Sequence, residues 1–281
     1  MAASVAIVAD RLGWEEQKLI AAADRTGLTL KWVNDEELTV GPGGSTALDG
    51  YDAVLVRSRS YTRGGLLAEA LSPHHRLVLN SASAIAICEN KLVTRTRLQS
   101  AIPVADYQLI LTRKDFTLAL SRFQTPVVFK PIFGGMGRRV TIIENLKSAQ
   151  SIYDYVEDLG HAFEQAALVE RFYGGASIRV FVIGDHVEAV SRFTPGTGDW
   201  RSNAAIGSHQ EGQNISADIR SITDEVLKVV GPGIFGVDLF ETEDGYVLNE
   251  VNHAPAFRAV ADSSGIDIAG AIVDYLASAL A

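Results

Sequence analysis

One stretch near the C-terminal end constrains the fold more than any other: Gly236-Val-Asp238-Leu-Phe-Glu-Thr-Glu-Asp-Gly245-Tyr-Val-Leu-Asn-Glu250-Val-Asn252. It reads as two β-strands, rich in Val, Leu, Phe and Tyr, joined by a turn that contains glycine. A three-residue loop at Glu243-Asp244-Gly245, with Gly245 left-handed, pairs Thr242 with Tyr246. Counting outward then sets Asp238 directly opposite Glu250. Side chains alternate along a strand, so Asn252 shares the face of Glu250. Like charges opposed across a sheet destabilise it, so this face calls for something positive.

Two carboxylates and an amide oxygen are hard ligands. So small a set suits magnesium held partly by water and substrate phosphates. The plainer alternative is a solvated hairpin face carrying ordinary surface acids. A two-residue turn at Asp244-Gly245 would also shift the parity and part the two carboxylates. The rest of the chain has to decide.

A chain of 281 residues can bury a substantial core in one large domain or in two to three small ones. Its 47% hydrophobic and 21% charged residues are those of a globular protein. A net charge of −9 argues against nonspecific nucleic-acid binding, which needs an excess of positive charge to displace counterions. The one cysteine, Cys88, excludes an internal disulfide and lies in the apolar run Ala84-Ile-Ala-Ile-Cys88, where a small buried hydrophobe is expected. No apolar run approaches the roughly eighteen residues of a membrane helix. No basic segment precedes Val5-Ala-Ile-Val8, and the expected location is the cytoplasm.

Strands and helices alternate over the first 80 residues: strands at Ser4–Val8, Leu28–Val33, Ala53–Val56 and Leu77–Leu79, helices at Trp14–Arg25 and Gly64–Leu71. That order predicts a small parallel α/β layer. Arg57 and Arg59 follow the third strand, where ligands gather in open α/β sheets, and a guanidinium fork suits a substrate carboxylate. Ser83 is placed to cap a helix running into Asn90-Lys91-Leu-Val-Thr94.

Residues 104–165 read as a separate α+β unit, in which Pro126–Phe129 is a strand ending in Lys130-Pro131. Gly134-Gly135-Met136-Gly137-Arg138 follows. Its bare backbone N–H groups can approach a phosphate, with Arg138 and Arg139 adding charge; a tight glycine hairpin is the structural alternative. A Walker A loop is excluded, because a strand and not a helix comes next. From Leu168 the strands lengthen: Leu168–Phe172, then Ser177–Ile183 and His186–Phe193 as a hairpin. A polar loop from Thr194 to Asn203 follows, of a length that is usually functional or disordered. Helices at Ser216–Val230 and Ile266–Ala281 bracket the Asp238–Asn252 hairpin.

The order of these pieces resembles the ATP-grasp superfamily, and within it the RimK/LysX group of carboxylate–amine ligases. The resemblance rests on Asn90-Lys91-Leu-Val-Thr94, Val128-Phe-Lys130-Pro131 with the glycine loop, Ile178-Arg179-Val-Phe-Val-Ile-Gly184, Gly198-Asp-Trp-Arg201-Ser-Asn203, and Gly236-Val-Asp238 through Glu250-Val-Asn252. It implies an ATP-grasp fold, α/β and α+β. A pre-ATP-grasp α/β domain would occupy residues 1–84, a central α+β lid domain 85–166, and an antiparallel-sheet domain with the metal site 167–281.

The resemblance also implies roles. Lys91 and Lys130 would contact ATP phosphates, with the loop Gly134, Gly135, Gly137 and Arg138 folding over them. Glu170 would be an ATP-binding acid, with Arg179 in the same nucleotide site. Arg201, with Lys130, would neutralise the transferred phosphoryl group, and Asn203 would support it. Asp238, Glu250 and Asn252 would hold magnesium as a pair of ions. Arg57, Arg59, Arg192, Asn252, His253 and Arg258 are the candidates for substrate binding. The sequence departs from the group at Ser177, where relatives commonly carry Asp, and at Ala256, where LysX-type enzymes carry an acidic residue.

The implied chemistry is ATP-dependent amide formation through an acyl phosphate, joining glutamate to the amino group of a small amino acid. Two alternatives stand beside it: a LysX-type ligase acting on the C-terminal glutamate of an acidic amino-group carrier protein, and a catalytically silent nucleotide-binding scaffold. The −9 charge disfavours the acidic partner. The resemblance further implies a homo-oligomer, dimer or tetramer.

Overall fold

A computed structural model describes residues 3–60, 62–134, 139–158, 166–196, 200 and 208–281. The first unit is the parallel layer. Strands β1 (Ser4–Ala9), β2 (Thr29–Asn34), β3 (Ala53–Val56) and β4 (Leu77–Leu79) lie in the order β2-β1-β3-β4, all parallel. Period-two alternation splits the buried strand β1 between two cores. Val5 and Ile7 pack with Leu19 and Ala23 of α1 (Trp14–Ala23), whereas Ala6 and Val8 pack with Leu67, Ala68 and Leu71 of α2 (Arg63–Leu71).

Two helices lead out of this layer. Ser81 caps α3 (Ala82–Glu89) by accepting from the Ala84 amide at 3.2 Å, and Asn90 caps α4 (Lys91–Leu98) by accepting from the Val93 amide at 3.0 Å. The single helix expected from Ser83 through Thr94 is thus two. Asn90 is extended, with φ −104° and ψ 99°, and its side chain satisfies the Val93 amide, which a continuous helix would have bonded internally.

The central sheet is antiparallel, in the order β5-β8-β6-β7, from β5 (Tyr107–Ile110), β6 (Val127–Pro131), β7 (Thr141–Ile143) and β8 (Ala167–Arg171). Helices α5 (Arg113–Phe123) and α6 (Leu146–Asp158) cover it through Phe116, Ala119, Ala149 and Tyr153. A third, larger antiparallel sheet follows the order β11-β10-β9-β12-β13. It comprises β9 (Ser177–Gly184), β10 (His186–Thr194), β11 (His209–Gly212), β12 (Gly233–Thr242) and β13 (Gly245–Asn252). One face of β9 gives Phe181 and Ile183 to the core shared with β1 and with Ile272 and Leu276 of α9 (Ile268–Leu280). The other gives Ile178, Val180 and Val182 to a core with Ile219 and Val226 of α7 (Ala217–Val230). The closing helix expected from Ile266 is preceded by a separate short one, α8 (Arg258–Ser264), which ends at a left-handed Gly265 with φ 73°.

Asn80 fastens the first unit to the third. Its amide accepts from the Ile234 N–H at 2.7 Å and donates to the carbonyls of Ile234 and His253 at 2.8 and 2.7 Å.

The β12–β13 hairpin corrects the expected turn and keeps its consequence. Thr242 pairs with Gly245, not Tyr246, so the loop is Glu243-Asp244, one residue tighter than expected. That slip alone would have set Asp238 opposite Asn249. The ladder instead runs Leu239–Leu248 and then Asp238–Glu250, with Asn249 as the extra residue of a β-bulge. The bulge restores the lost parity, and the two carboxylates face each other.

Candidate active site

The site lies where the central and C-terminal sheets meet the first turn of α4. Lys91 and Arg95 stand four residues apart and point the same way. Lys91 donates to the carbonyl of Gly134, and its Nζ lies 3.3 Å from Glu250 Oε2. Arg95 is wholly buried. Its Nη1 pairs with Glu170, while Nε and Nη2 donate to the Asn249 carbonyl at 3.2 and 2.8 Å.

From the central sheet come Lys130 and Glu170. Val128 pairs with Glu170 and Lys130 with Leu168, so the two charged residues are diagonal neighbours on one face. Lys130 Nζ is 2.7 Å from Glu170 Oε2 and donates to Asn249 Oδ1 at 2.9 Å. Burial pulls the Lys130 ammonium down to about 8, with Arg95 adding repulsion against the attraction of Glu170 and Glu250. Burial works to raise Glu170, but Arg95 and Lys130 outweigh it and hold that carboxyl below its ordinary range.

Cross-strand pairing from the C-terminal sheet sets Arg179 beside Asp238 and Glu250 on its other side. Arg179 grips Asp238 with two hydrogen bonds, Nε to Oδ1 at 2.7 Å and Nη2 to Oδ2 at 2.6 Å. Asn252 donates to Asp238 Oδ2 at 3.2 Å. Burial raises the Asp238 carboxyl, and Glu250 opposite pushes the same way against Arg179. Glu250 moves the other way: burial raises it, but Lys91, Lys130 and Arg179 together carry it below the ordinary value.

Among the described residues, four cations (Lys91, Arg95, Lys130, Arg179) interlock with three carboxylates (Glu170, Asp238, Glu250), and a fourth, Glu89, lines a cavity with Lys91 and Glu250. The two lysines suit a polyphosphate. The pair Asp238 and Glu250, with the Asn252 amide, is an all-oxygen donor set that fits Mg²⁺. No group of three or more His, Cys, Asp or Glu able to hold a metal occurs among the described residues, so any ion here relies on ligands beyond these carboxylates.

Of the residues singled out from the sequence, Lys91, Lys130, Gly134, Glu170, Arg179, Asp238, Glu250 and Asn252 come together, and His253 sits at the margin. Gly135, Gly137, Arg138, Arg201 and Asn203 lie outside the described residues. The four arginines expected to serve substrate carboxylates do not gather. Arg57 is buried against Glu16 at 2.8 Å, and Arg59 pairs with Asp10 at 3.2 Å. Arg192 is held by Glu241 and Glu211, and Arg258, 65% exposed, leans on Trp14 near Asp262. Each already has a carboxylate of this chain for company.

Sequence reading missed Arg95 and Asn249. The Lys91/Arg95 spacing on one helix face was a signal for the first. Nothing marked Asn249, because strict alternation assigns it to the opposite face and only the bulge brings it round.

A family profile described as a RimK-like ATP-grasp domain matches residues 88–276, and one described as a LysX preATP-grasp domain matches residues 5–87. The chain belongs to the RimK-like ATP-grasp family. As a member of that family it is an ATP-dependent ligase. It is 27% identical to an alpha-aminoadipate–LysW ligase LysX of Sulfurisphaera tokodaii over 90% of both chains. It is 30% identical to a probable alpha-L-glutamate ligase of Haemophilus influenzae, over 82% of this chain and 76% of that one. Among solved structures, the ATP-grasp ligase PsnB, complexed with a phosphomimetic variant of its minimal precursor, Mg and ADP, superposes with a TM-score of 0.78 at 21% identity, covering all of both chains. The ATP-grasp fold expected from the sequence is therefore the one adopted. No described helix is long and apolar enough to cross a membrane.

Proposed function

We propose that this ATP-grasp ligase joins a glutamate carboxylate to the amino group of a small amino acid. The observation that carries the reading is the convergence of Lys91, Lys130 and Arg179 on the facing carboxylates Asp238 and Glu250. A carboxylate is a poor electrophile toward an amine. Transfer of the γ-phosphoryl group of ATP makes it an acyl phosphate; amine attack then releases phosphate and leaves an amide and ADP. The barrier is mostly charge, so positioned cations lower it without a covalent enzyme intermediate.

In this reading Lys91 and Lys130 hold phosphate oxygens. Glu170 and Arg95 act behind them: Glu170 orients Lys130, and Arg95 keeps Glu170 ionised and fixes the Asn249 carbonyl. Asp238, Glu250 and Asn252 hold magnesium, as two ions, which supplies neutralisation of the phosphates. Arg201 and the loop Gly135, Gly137 and Arg138 with Asn203 complete the phosphate side. That PsnB is known with Mg and ADP supports the nucleotide and metal assignment.

A second reading, a carrier protein as the partner, is favoured by the relative named as a LysW ligase, which this chain matches over 90% of both lengths. The test is ADP release with ATP, Mg²⁺ and L-glutamate, against a panel of amino acids and against a carrier protein ending in glutamate. Release that depends on one amino acid, with the condensed mass, supports the main reading. Release only with the carrier protein replaces it with the second.

A further inference from the structure

Beside the phosphate-binding residues is a group that the chemistry so far leaves idle. Glu89 ends α3, two positions before Lys91, and its side chain is only 10% exposed. Its Oε1 is buried and accepts no hydrogen bond; the group nearest it is His253 Nε2 at 3.5 Å, an ionic partner only when that ring is protonated. His253 Nδ1 is likewise buried without a partner. Among the described residues no lysine or arginine pairs with Glu89: Lys91, its nearest neighbour in sequence, is spent on Gly134 and Glu250. An ionised carboxylate so enclosed is costly unless a cation meets it.

The surroundings show from which side a cation comes. The glycines that open α2 close the face toward the first unit: a Cβ at Gly64 would lie 3.5 Å from the His253 ring, and one at Gly65 3.7 Å from Glu89 Oε2. On the other side a cavity of about 70 Å³ runs from Glu89 and His253 to Lys91, Glu250 and Asn252. The cavity opens to solvent, so an ammonium at Glu89 leaves the rest of its molecule room outward. It also places such a group beside the carboxylates assigned to magnesium, next to where the acyl phosphate would form.

We propose that the cavity between Glu89 and Glu250 is the amine subsite, with Glu89 the group that receives the ammonium of the incoming amine substrate and His253 its wall. This rests on the ligase reading above and adds the residue that selects the acceptor. It names the acceptor's chemistry as a primary ammonium. The bound ammonium passes one proton to the Glu89 carboxylate, and the free amine attacks the carboxyl carbon activated beside Glu250 and Lys91; phosphate leaves with the second proton as the C–N bond forms.

Hydroxylamine separates the two levels of the argument, because it is uncharged at pH 7.5 and traps acyl phosphates as hydroxamates. With ATP, Mg²⁺ and L-glutamate, the wild-type enzyme should form hydroxamate, and at least one standard amino acid should compete with that reaction. In Glu89→Gln the concentration of that amino acid needed for half-inhibition should rise at least tenfold relative to the concentration of hydroxylamine giving half-maximal rate. Glu89→Asp, which keeps the charge but withdraws it by one carbon, should fall between the two. No hydroxamate from the wild type would overturn the reading that free L-glutamate is the carboxylate activated. Hydroxamate formation with no competing amino acid, or with the same ratio in Glu89→Gln and wild type, would overturn the amine subsite alone. Matched thermal unfolding of the variants keeps loss of folding from passing for either result.

Discussion

The hairpin face and the strand-end arginines were picked out by the same kind of signal, charge at the end of or along a strand, and the fold treats them in opposite ways. Asp238, Glu250 and Arg179 sit on three paired strands, where register leaves each side chain one neighbour and one direction. Arg57 and Arg59 leave β3 into connecting chain, where direction depends on what packs there, and each finds a carboxylate of its own unit, Glu16 or Asp10. A ladder hands charges to a site; a strand end hands them to whichever partner is nearest. The first region is a connected network of charges across three strands, and the second a set of local pairs.

That contrast can be broken or sharpened by substitution. The largest effect belongs to Arg95, the wholly buried member of the network. Arg95→Ala leaves Glu170 with Lys130 alone and should destabilise the protein by about 3–5 kcal/mol in urea unfolding. A loss under about 1 kcal/mol would mean that the network is looser than its hydrogen bonds indicate. Next, Glu250→Ala removes one of the facing carboxylates. Steady-state turnover should fall by about 100- to 1,000-fold, as expected for loss of one electrostatic contact to the reacting groups.

Lys130→Ala should weaken ATP binding by about 10- to 100-fold, the worth of a charged hydrogen bond, read by calorimetric titration. The pH dependence of the native enzyme tests the same lysine. Its folded value near 8 lies below the 10.5 of a free lysine. Between those values the folded state holds fewer protons than the unfolded, so this group's contribution to stability rises with pH there; the cost of burying its charge is fully present below 8. Function has the opposite sign: kcat/KM for ATP should fall as pH rises through about 8, because the free enzyme loses a phosphate-binding cation. The smallest effect is expected in the second region. Arg258→Ala, at an exposed side chain, should change stability by no more than about 0.5 kcal/mol and leave the KM for glutamate within about twofold. A tenfold rise in that KM would return the arginines to the site.

Much of the architecture was legible because it follows from periodicity. The apolar runs Ala53–Val56 and Leu77–Leu79 are strands over those same residues, and Glu250 and Asn252 share a face by alternation, whereas Asp238 meets Glu250 only through the bulge. What was illegible came from local departures whose cause lies elsewhere in the fold. The bulge at Asn249 offsets a tighter turn five residues earlier, and no alternation rule contains it. The break at Asn90 depends on a side chain choosing the next helix's amides over its own helix. Arg95 looked like one more helical arginine, and its meaning appears only once Glu170 and the Asn249 carbonyl close around it.

The central claim is that the Asp238/Glu250 face holds magnesium against nucleotide phosphate, and the most direct test needs no turnover. ADP affinity should be measured by titration with and without Mg²⁺, for the wild type and for Glu250→Ala. Magnesium should tighten ADP binding to the wild type and have little effect on the variant. An equal gain from magnesium in both would contradict the assignment and leave the facing carboxylates as a structural pair.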